Sequence, residues 1–265
     1  MKFWKLAVLL ALAAPVDGAV AGVDEGLAAW KRHDYRTAAR ELGTAADQGN
    51  AQAQYYIGTM FRYGQGLGQD LGAARDWYRK AAAQNLVEAQ RELAFLLINS
   101  KPPQFKEGAE WLMRAAQAGD AESQFNLGAL YDNGMAVRAD AAQRNAWWQK
   151  AAAQNYPPAQ AALGEVYLNG DGVPADANQA AQYFRSAAQG GDGGAALSLA
   201  RLLRDGKLGK PDPVQALVYF QLAAAQSRPG GQADAASRER DRQSAVLSPA
   251  QRQDAERQFQ ALRRK

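Results

Sequence analysis

Ala51-Gln52-Ala53-Gln54-Tyr55-Tyr56-Ile57-Gly58, then Gly64, then Asp70, then Trp77-Tyr78-Arg79-Lys80-Ala81-Ala82, is a pattern that the chain writes several times over. Its first half returns as Ala121-Glu122-Ser123-Gln124-Phe125-Asn126-Leu127-Gly128 and as Pro157-Pro158-Ala159-Gln160-Ala161-Ala162-Leu163-Gly164. Its second half returns as Trp147-Trp148-Gln149-Lys150-Ala151-Ala152, Tyr183-Phe184-Arg185-Ser186-Ala187-Ala188 and Tyr219-Phe220-Gln221-Leu222-Ala223-Ala224. Between the halves stand Gly64, Gly134, Gly170 and Gly206, and six residues after each comes Asp70, Asp140, Asp176 or Asp212. A period in the mid-thirties is the mark of stacked helix pairs, because one pair cannot bury its apolar face alone.

The units run 51–86, 87–120, 121–156, 157–192 and 193–226. The second is two residues short, with Ala94 in the glycine column and Lys101-Pro102-Pro103 in place of the glycine loop, yet Trp111-Leu112-Met113-Arg114-Ala115-Ala116 keeps its register. Residues 22–50 fit a shorter leading helix pair. Each column has a packing reason. Ala53, Ile57 and Phe61 fall at i, i+4, i+8, and Ala74, Tyr78 and Ala81 at i, i+4, i+7, so two antiparallel helices present matching stripes. Gly58, Gly128 and Gly164 sit mid-helix at a cost of about 0.5–1 kcal/mol each, acceptable where a missing Cβ admits a partner helix. The loop glycines suit left-handed helix ends, and the following Asp suits an N-cap.

The run Ala-x-Ala-Gln-Tyr-x-Ile-Gly, Tyr-Gly-x-Gly, Asp, Ala-x-x-Trp-Tyr-x-Lys-Ala-Ala-x-Gln, from Ala51 to Gln84, resembles a Sel-1-like repeat, the α/α relative of the tetratricopeptide motif. The resemblance covers residues 30–226 and implies an all-α, right-handed superhelical solenoid with an adaptor role in macromolecular assemblies, often in the bacterial envelope or in signalling. The sequence departs from the pattern in its degraded second unit, in Ala200, and in lacking the disulfides that some exported relatives carry.

Composition narrows the chemistry. Among 265 residues there is no Cys and one His, which removes disulfide frameworks, thiolate nucleophiles, Cys-bound metals and any multi-histidine metal site. No cofactor is expected. The opening residues read as an export signal: a basic Met1-Lys2-Phe3-Trp4-Lys5, nine apolar residues from Leu6 to Ala14, and Ala19-Val20-Ala21 for cleavage after Ala21. Nine residues at about 1.5 Å each cannot cross a hydrocarbon layer roughly 30 Å thick. The expectation is therefore a soluble exported monomer with no transmembrane segment, periplasmic or secreted. Without Lys2, Lys5 and Asp17 the chain holds 29 basic and 26 acidic residues, and residues 227–265 account for nine and five of them. The repeat body is close to neutral, so the pI of 9.2 belongs to the tail and a nucleic-acid partner is not expected.

Individual residues divide the same way. Gly64-Gln65-Gly66-Leu67-Gly68 resembles a phosphate loop but follows a helix rather than a strand, and Gly170-Asp171-Gly172 repeats it, so it reads as a repeat turn. His33 reads as a solvated turn residue. The aromatic column Trp77, Trp111, Trp147, Tyr183 and Tyr219 reads as packing. Carboxylates Glu88, Glu122, Asp132 and Glu165 could pair for glycan hydrolysis, but an ordinary solvated face is the simpler reading. Subtracting the internal stripes from the first helices leaves a candidate partner-binding face of Tyr55, Thr59, Arg62, Tyr63, Phe95, Asn99, Asp132, Asn133, Glu165, Asn169, Arg201 and Arg204. Gln52, Arg91, Phe125 and Leu168 share these columns, and Arg62, Tyr63 and Tyr55 form the anchor-like group at its N-terminal end. The functional expectation is a non-catalytic exported scaffold gripping an envelope protein or peptide segment, with regulation of a membrane sensor as one form of that role. An enzyme or binder acting on peptidoglycan fragments through Glu122 and Glu165 is the alternative. After the Pro229-Gly230-Gly231 break, residues 227–265 should supply capping helices, the last starting at Ser248-Pro249-Ala250-Gln251, with a partner-binding basic helix as the sharper alternative for that tail.

Overall fold

The computed structural model describes residues 16–135, 137–227 and 230–264; of residues 1–21, read as an export signal, 1–15 lie outside the described residues and 16–21 fall in the first helix. Fourteen helices and no strands form among the described residues. They fall into two compact units, one through Trp111 and one from Leu112. In the first, α1 (Val16–Lys31) pairs with α2 (Tyr35–Asp47), and α3 (Ala51–Tyr63) with α4 (Leu71–Ala83), followed by α5 (Val87–Ile98). The boundary between the units falls within α6 (Phe105–Gln117). In the second, α7 (Ala121–Asn133) pairs with α8 (Ala141–Ala153), α9 (Pro157–Asn169) with α10 (Ala177–Gln189), and α11 (Gly193–Arg204) with α12 (Pro213–Gln226). Helices α13 (Gly231–Ala245) and α14 (Pro249–Arg263) both pack on α12.

The start signals work as read. Asp70, Asp140, Asp176 and Asp212 each accept a backbone N–H in the first turn of the helix that follows. Asn50, Asp120 and Asp192 do the same for first helices, a set that the spacing argument did not include. Gly64, Gly134 and Gly170 are left-handed C-caps. Gly206 is displaced by one: α11 ends on Asp205 as its C-cap, and Gly206 takes the positive φ in the turn beyond.

The mid-helix glycines are contact points. A Cβ on Gly58 would come within 2.8 Å of the Tyr78 ring, one on Gly128 within 2.4 Å of Trp148, and one on Gly164 within 2.5 Å of Phe184. These rings are 8 % exposed or less. Burying an aromatic side chain contributes about 1.5–3 kcal/mol, more than the helix loses by using glycine, so close approach wins. The last pair carries Ala200 in this column and still buries Phe220 completely. The second loop glycine answers to a neighbouring repeat. Gly66 has φ +73°, and a Cβ there would lie 2.7 Å from Tyr35 of α2; Gly172 has φ +75° and meets Ala141 of α8 at 2.9 Å. The Gly-x-Gly spacing thus seats each loop on the preceding second helix, in agreement with the repeat-turn reading.

Seams between successive pairs carry a buried glutamine. Gln54, Gln90, Gln124 and Gln160 are all at most 5 % exposed, and their Nε2 groups donate to the carbonyls of Ala46, Ala82, Ala116 and Ala152. Gln84 and Gln154 close the clasp, each donating to the side-chain oxygen of Gln54 or Gln124 and to the carbonyl of Gly49 or Gly119. The repeat alignment displayed this column without assigning it a task. The tail matches expectation: Ser248 and Gln251 form a capping box, Pro249 opens α14, and Phe259 is buried against α12 residues.

Gly164→Leu should abolish cooperative folding, because its branched side chain must displace the Phe184 ring. Gly164→Ala should cost about 1–3 kcal/mol in urea unfolding, the usual cost of overpacking, and Phe184→Leu should recover part of that loss in the double variant. A G164A chain as stable as the parent would remove the close-approach account.

Candidate functional site

In the first unit the last turn of α3 and the middle of α5 bring three predicted residues together. The Arg62 guanidinium lies 4.6 Å from the Phe95 ring centroid and 5.1 Å from that of Tyr63. It is ion-paired with Glu92, and both side chains are largely covered. The flanking rings are not: Tyr63 is 58 % and Phe95 49 % exposed. Asn99, also exposed, donates its Nδ2 to the Phe95 carbonyl at 2.8 Å. Two large rings held outward by a neutralised guanidinium form a rigid apolar patch with a polar edge.

Two residues expected on this face do other work. Thr59 is buried; its Oγ1 donates to the Tyr55 carbonyl at 3.0 Å and lies 3.1 Å from the Tyr78 hydroxyl. It fixes the ring that covers Gly58 and presents nothing to a partner. Tyr55 is half-buried against Tyr78 and Tyr56, at centroid distances of 5.7 and 5.3 Å. Burial raises its phenol pKa, and burial pushes that of Tyr78 up to about 12. Phe125 repeats the arrangement on Trp148 at 5.9 Å, so this aromatic column is packing. The column of Trp77 is more mixed: Trp77 and Trp147 are half-buried with Lys80 and Lys150 over their rings at 3.7 and 3.8 Å, Tyr183 stacks on Tyr167, and Tyr219 is buried. His33 is exposed, as expected, with Nδ1 2.8 Å from the Tyr35 hydroxyl.

In the second unit Asp132 stays exposed, but its carboxylate is engaged by a buried arginine of the same chain. Arg144 has a side chain only 5 % exposed, with Nη1 2.6 Å from Asp132 and 2.9 Å from Asp171. Its Nη2 donates to the Asp171 carbonyl, its Nε donates to Asn145, and its guanidinium lies 5.2 Å from the Trp148 ring centroid. Burial opposes the cation, but the hydrogen bonds to Asp132 and Asp171 outweigh it and raise the Arg144 pKa. Sequence reasoning passed over Arg144, although the signal was present. Its column holds Ala74, Gly108, Ala180 and Ala216 elsewhere, so a guanidinium there must be paired.

Glu165 accepts a hydrogen bond from Ser198 at 3.1 Å and lines, with Arg201 and Lys207, an open cleft of about 650 Å³. Asn133 and Asn169 are exposed, and Asn133 donates to the Ala129 carbonyl. Arg201 and Arg204 both meet Glu239 of α13, at 3.7 and 2.7 Å, and Arg204 also holds Asp205 at 2.7 Å, while Arg201 stays exposed to the cleft. Glu88, Glu122 and Glu165 lie on three different helices, α5, α7 and α9. No group of three or more His, Asp or Glu side chains that could hold a metal ion occurs among the described residues. No helix among them is long and apolar enough to cross a membrane.

The Sel1 repeat model matches residues 51–86, 87–120, 121–156, 157–192 and 194–227, two-thirds of the chain and within one residue of the units read from the sequence. The chain belongs to the Sel1 repeat family. A Sel1 repeat protein from Oxalobacter formigenes is 28 % identical and superposes with a TM-score of 0.71, over 78 % of this chain and 86 % of that one. The protective antigen c5321 of uropathogenic Escherichia coli, 24 % identical over 92 % of this chain and 60 % of its own, shares the fold at a TM-score of 0.56. The Neisseria meningitidis protein NMB1327 is 32 % identical over 101 residues, which are 38 % of this chain. The chain spans about a fifth of that relative's length. Sel1 repeat proteins generally act as non-catalytic protein-interaction scaffolds.

Replacing Arg144 by Met should lower stability by about 1–3 kcal/mol, the range for losing charge-assisted hydrogen bonds. The loss should be smaller in a background already carrying Asp132→Asn and Asp171→Asn, measured as a cycle by urea unfolding. An additive cycle would show that the clasp has no energetic coupling.

Proposed function

We propose that this Sel1 repeat protein is an exported, non-catalytic scaffold that grips an envelope protein, or a segment of one, on the face carrying Arg62, Tyr63 and Phe95. A single observation carries the reading. Two large rings on successive first helices stand half-exposed around an ion-paired arginine, and aromatic and arginine side chains in a rigid setting are the composition of interface anchors. Rings already fixed by their own arginine lose little side-chain entropy on binding, which favours affinity. Asn99 at the margin offers a polar group for the partner's backbone. Family membership supports protein as the ligand class. The reading of residues 1–21 as an export signal supports the periplasm as the place, with secretion beyond it as the variant, and a membrane sensor is one partner that such a scaffold would regulate.

The Tyr63→Ala, Phe95→Ala chain, which removes two exposed rings and leaves the Arg62–Glu92 pair intact, should lose stoichiometric capture of its partner from the exported fraction of the native host, read by crosslinking and mass spectrometry, with its thermal unfolding unchanged. Capture at the parental level would remove this face from consideration. In the same preparation the mature chain should begin at Gly22; a chain retaining Met1 would contradict export by cleavage.

A further inference from the structure

Helix α13 is an anomaly in the stack. It lies on α12 much as α5 lies on α4 and α9 on α8, yet it lacks the apolar stripe of a repeat helix. Its fifteen residues include four alanines as their apolar side chains and six charged residues. Among its described side chains only Ala236 and Gln243 are buried. It is held by Ala236 and the following Leu247, which enter the core of this unit, and by polar contacts: Glu239 meets Arg204 at 2.7 Å and Arg201 at 3.7 Å, and Gln243 donates to the Pro213 carbonyl at 3.1 Å. By contrast α12, beneath it, buries Leu217, Val218, Tyr219, Phe220 and Leu222. The contact is also underfilled, since an open cleft of about 460 Å³ remains between α12, α13 and α14, floored by Leu217 and Phe259.

Arg201 and Arg204 stand at i and i+3 on one face of α11, the spacing that lets two guanidiniums share one carboxylate. Here that carboxylate comes from the chain itself. We propose that α13 is a built-in ligand seated on a second docking surface, formed by α12 and edged by the arginine pair of α11 that its Glu239 reaches, and that the surface receives a polar helix of a partner protein whose acidic side chain takes the place of Glu239. The occupant is defined by what already sits there: a helix with a carboxylate for the arginine pair, a small residue facing α12 as Ala236 does, and polar flanks. A segment with so few buried apolar side chains opens locally at low cost, whereas α12 opens only with the whole unit. The tether gives α13 a high effective concentration, so a partner must outcompete it, and the surface is available only to a ligand of adequate affinity or abundance. The proposal shares with the scaffold reading the premise that the ligand is a protein, and it uses a different surface. Losing the Arg62 and Tyr63 face would leave it standing, and the reverse holds too.

The test uses the full chain and a labelled synthetic peptide of residues 231–246. The Glu239→Arg chain, with its own α13 loosened, should bind this peptide saturably, and the parent chain should bind it at least tenfold more weakly. Adding Arg204→Glu to the Glu239→Arg chain should abolish binding, and a peptide carrying Glu239→Arg should not bind. Hydrogen exchange on the unaltered chain provides an independent measure, with α13 amides expected to exchange at least a hundredfold faster than those of α12. Absence of peptide binding by the Glu239→Arg chain, or α13 amides as protected as those of α12, would make α13 a permanent cap and overturn the proposal. Concentration-dependent dimerisation of the parent chain through exchange of α13 would assign the surface to a second copy and overturn it equally.

Discussion

The contact of one aromatic ring with one glycine sets the geometry of the helix pairs. Where Tyr78 lies on Gly58, Trp148 on Gly128 and Phe184 on Gly164, the missing Cβ lets the second helix lie close to the first, and the ring fills the space between them. The alanines Ala81, Ala151 and Ala187, at one column beside these rings, are fully buried in all three pairs, where the close approach favours a small side chain. The separation then places the loop glycines: Gly66 and Gly172 lie against the preceding second helix with no room for a side chain. Where glycine holds this column, the ring, the helix separation and the seat of the loop go together; the last pair reaches a buried Phe220 with Ala200 instead.

Because the alanine-rich seams bury little area per residue, directional polar contacts supply part of the specificity. The glutamine clasps at Gln54 and Gln124 add a buried side-chain hydrogen bond to the Ala46 and Ala116 carbonyls at the ends of the preceding helices, which also accept the N–H groups of Gly49 and Gly119. Arg144 does related work where two repeats meet, tying Asp132 of α7 to the loop that carries Asp171. Such contacts consume polar side chains that a surface reading would assign to ligands. Among the groups that stay outward are the Tyr63 and Phe95 rings in the first unit and, in the second, the cleft beside Glu165 and the arginine pair engaged by Glu239 of α13.

Much of this was legible in order along the chain. The period located every helix pair, the Asp column located the caps of the second helices, and Ser248-Pro249 located the start of α14. The candidate face was legible only in part, since Arg62, Tyr63, Phe95 and Asn99 gather as expected while Thr59 and Tyr55 turn inward. Column position gives the direction in which a Cβ points; it does not say whether a neighbouring ring has a hydroxyl within reach, and it is the Tyr78 hydroxyl that engages Thr59. Arg144 shows the opposite case, a charge in an alanine column whose meaning needed no coordinates to suspect but needed them to identify Asp132 and Asp171 as its partners.

By itself the sequence determined the repeat, its helical class, the places where helices begin and end, and the exclusion of cysteine chemistry, because these follow from short-range geometry repeated at a fixed period. Tertiary structure decided which polar groups are spent on the protein's own carbonyls and carboxylates and which stay outward. It also decided that a helix with few apolar side chains lies on α12 and sends Glu239 to Arg201 and Arg204. Those outcomes depend on pairings between side chains some 10 to 35 residues apart, and the strength of such pairings is set by burial that no single column records.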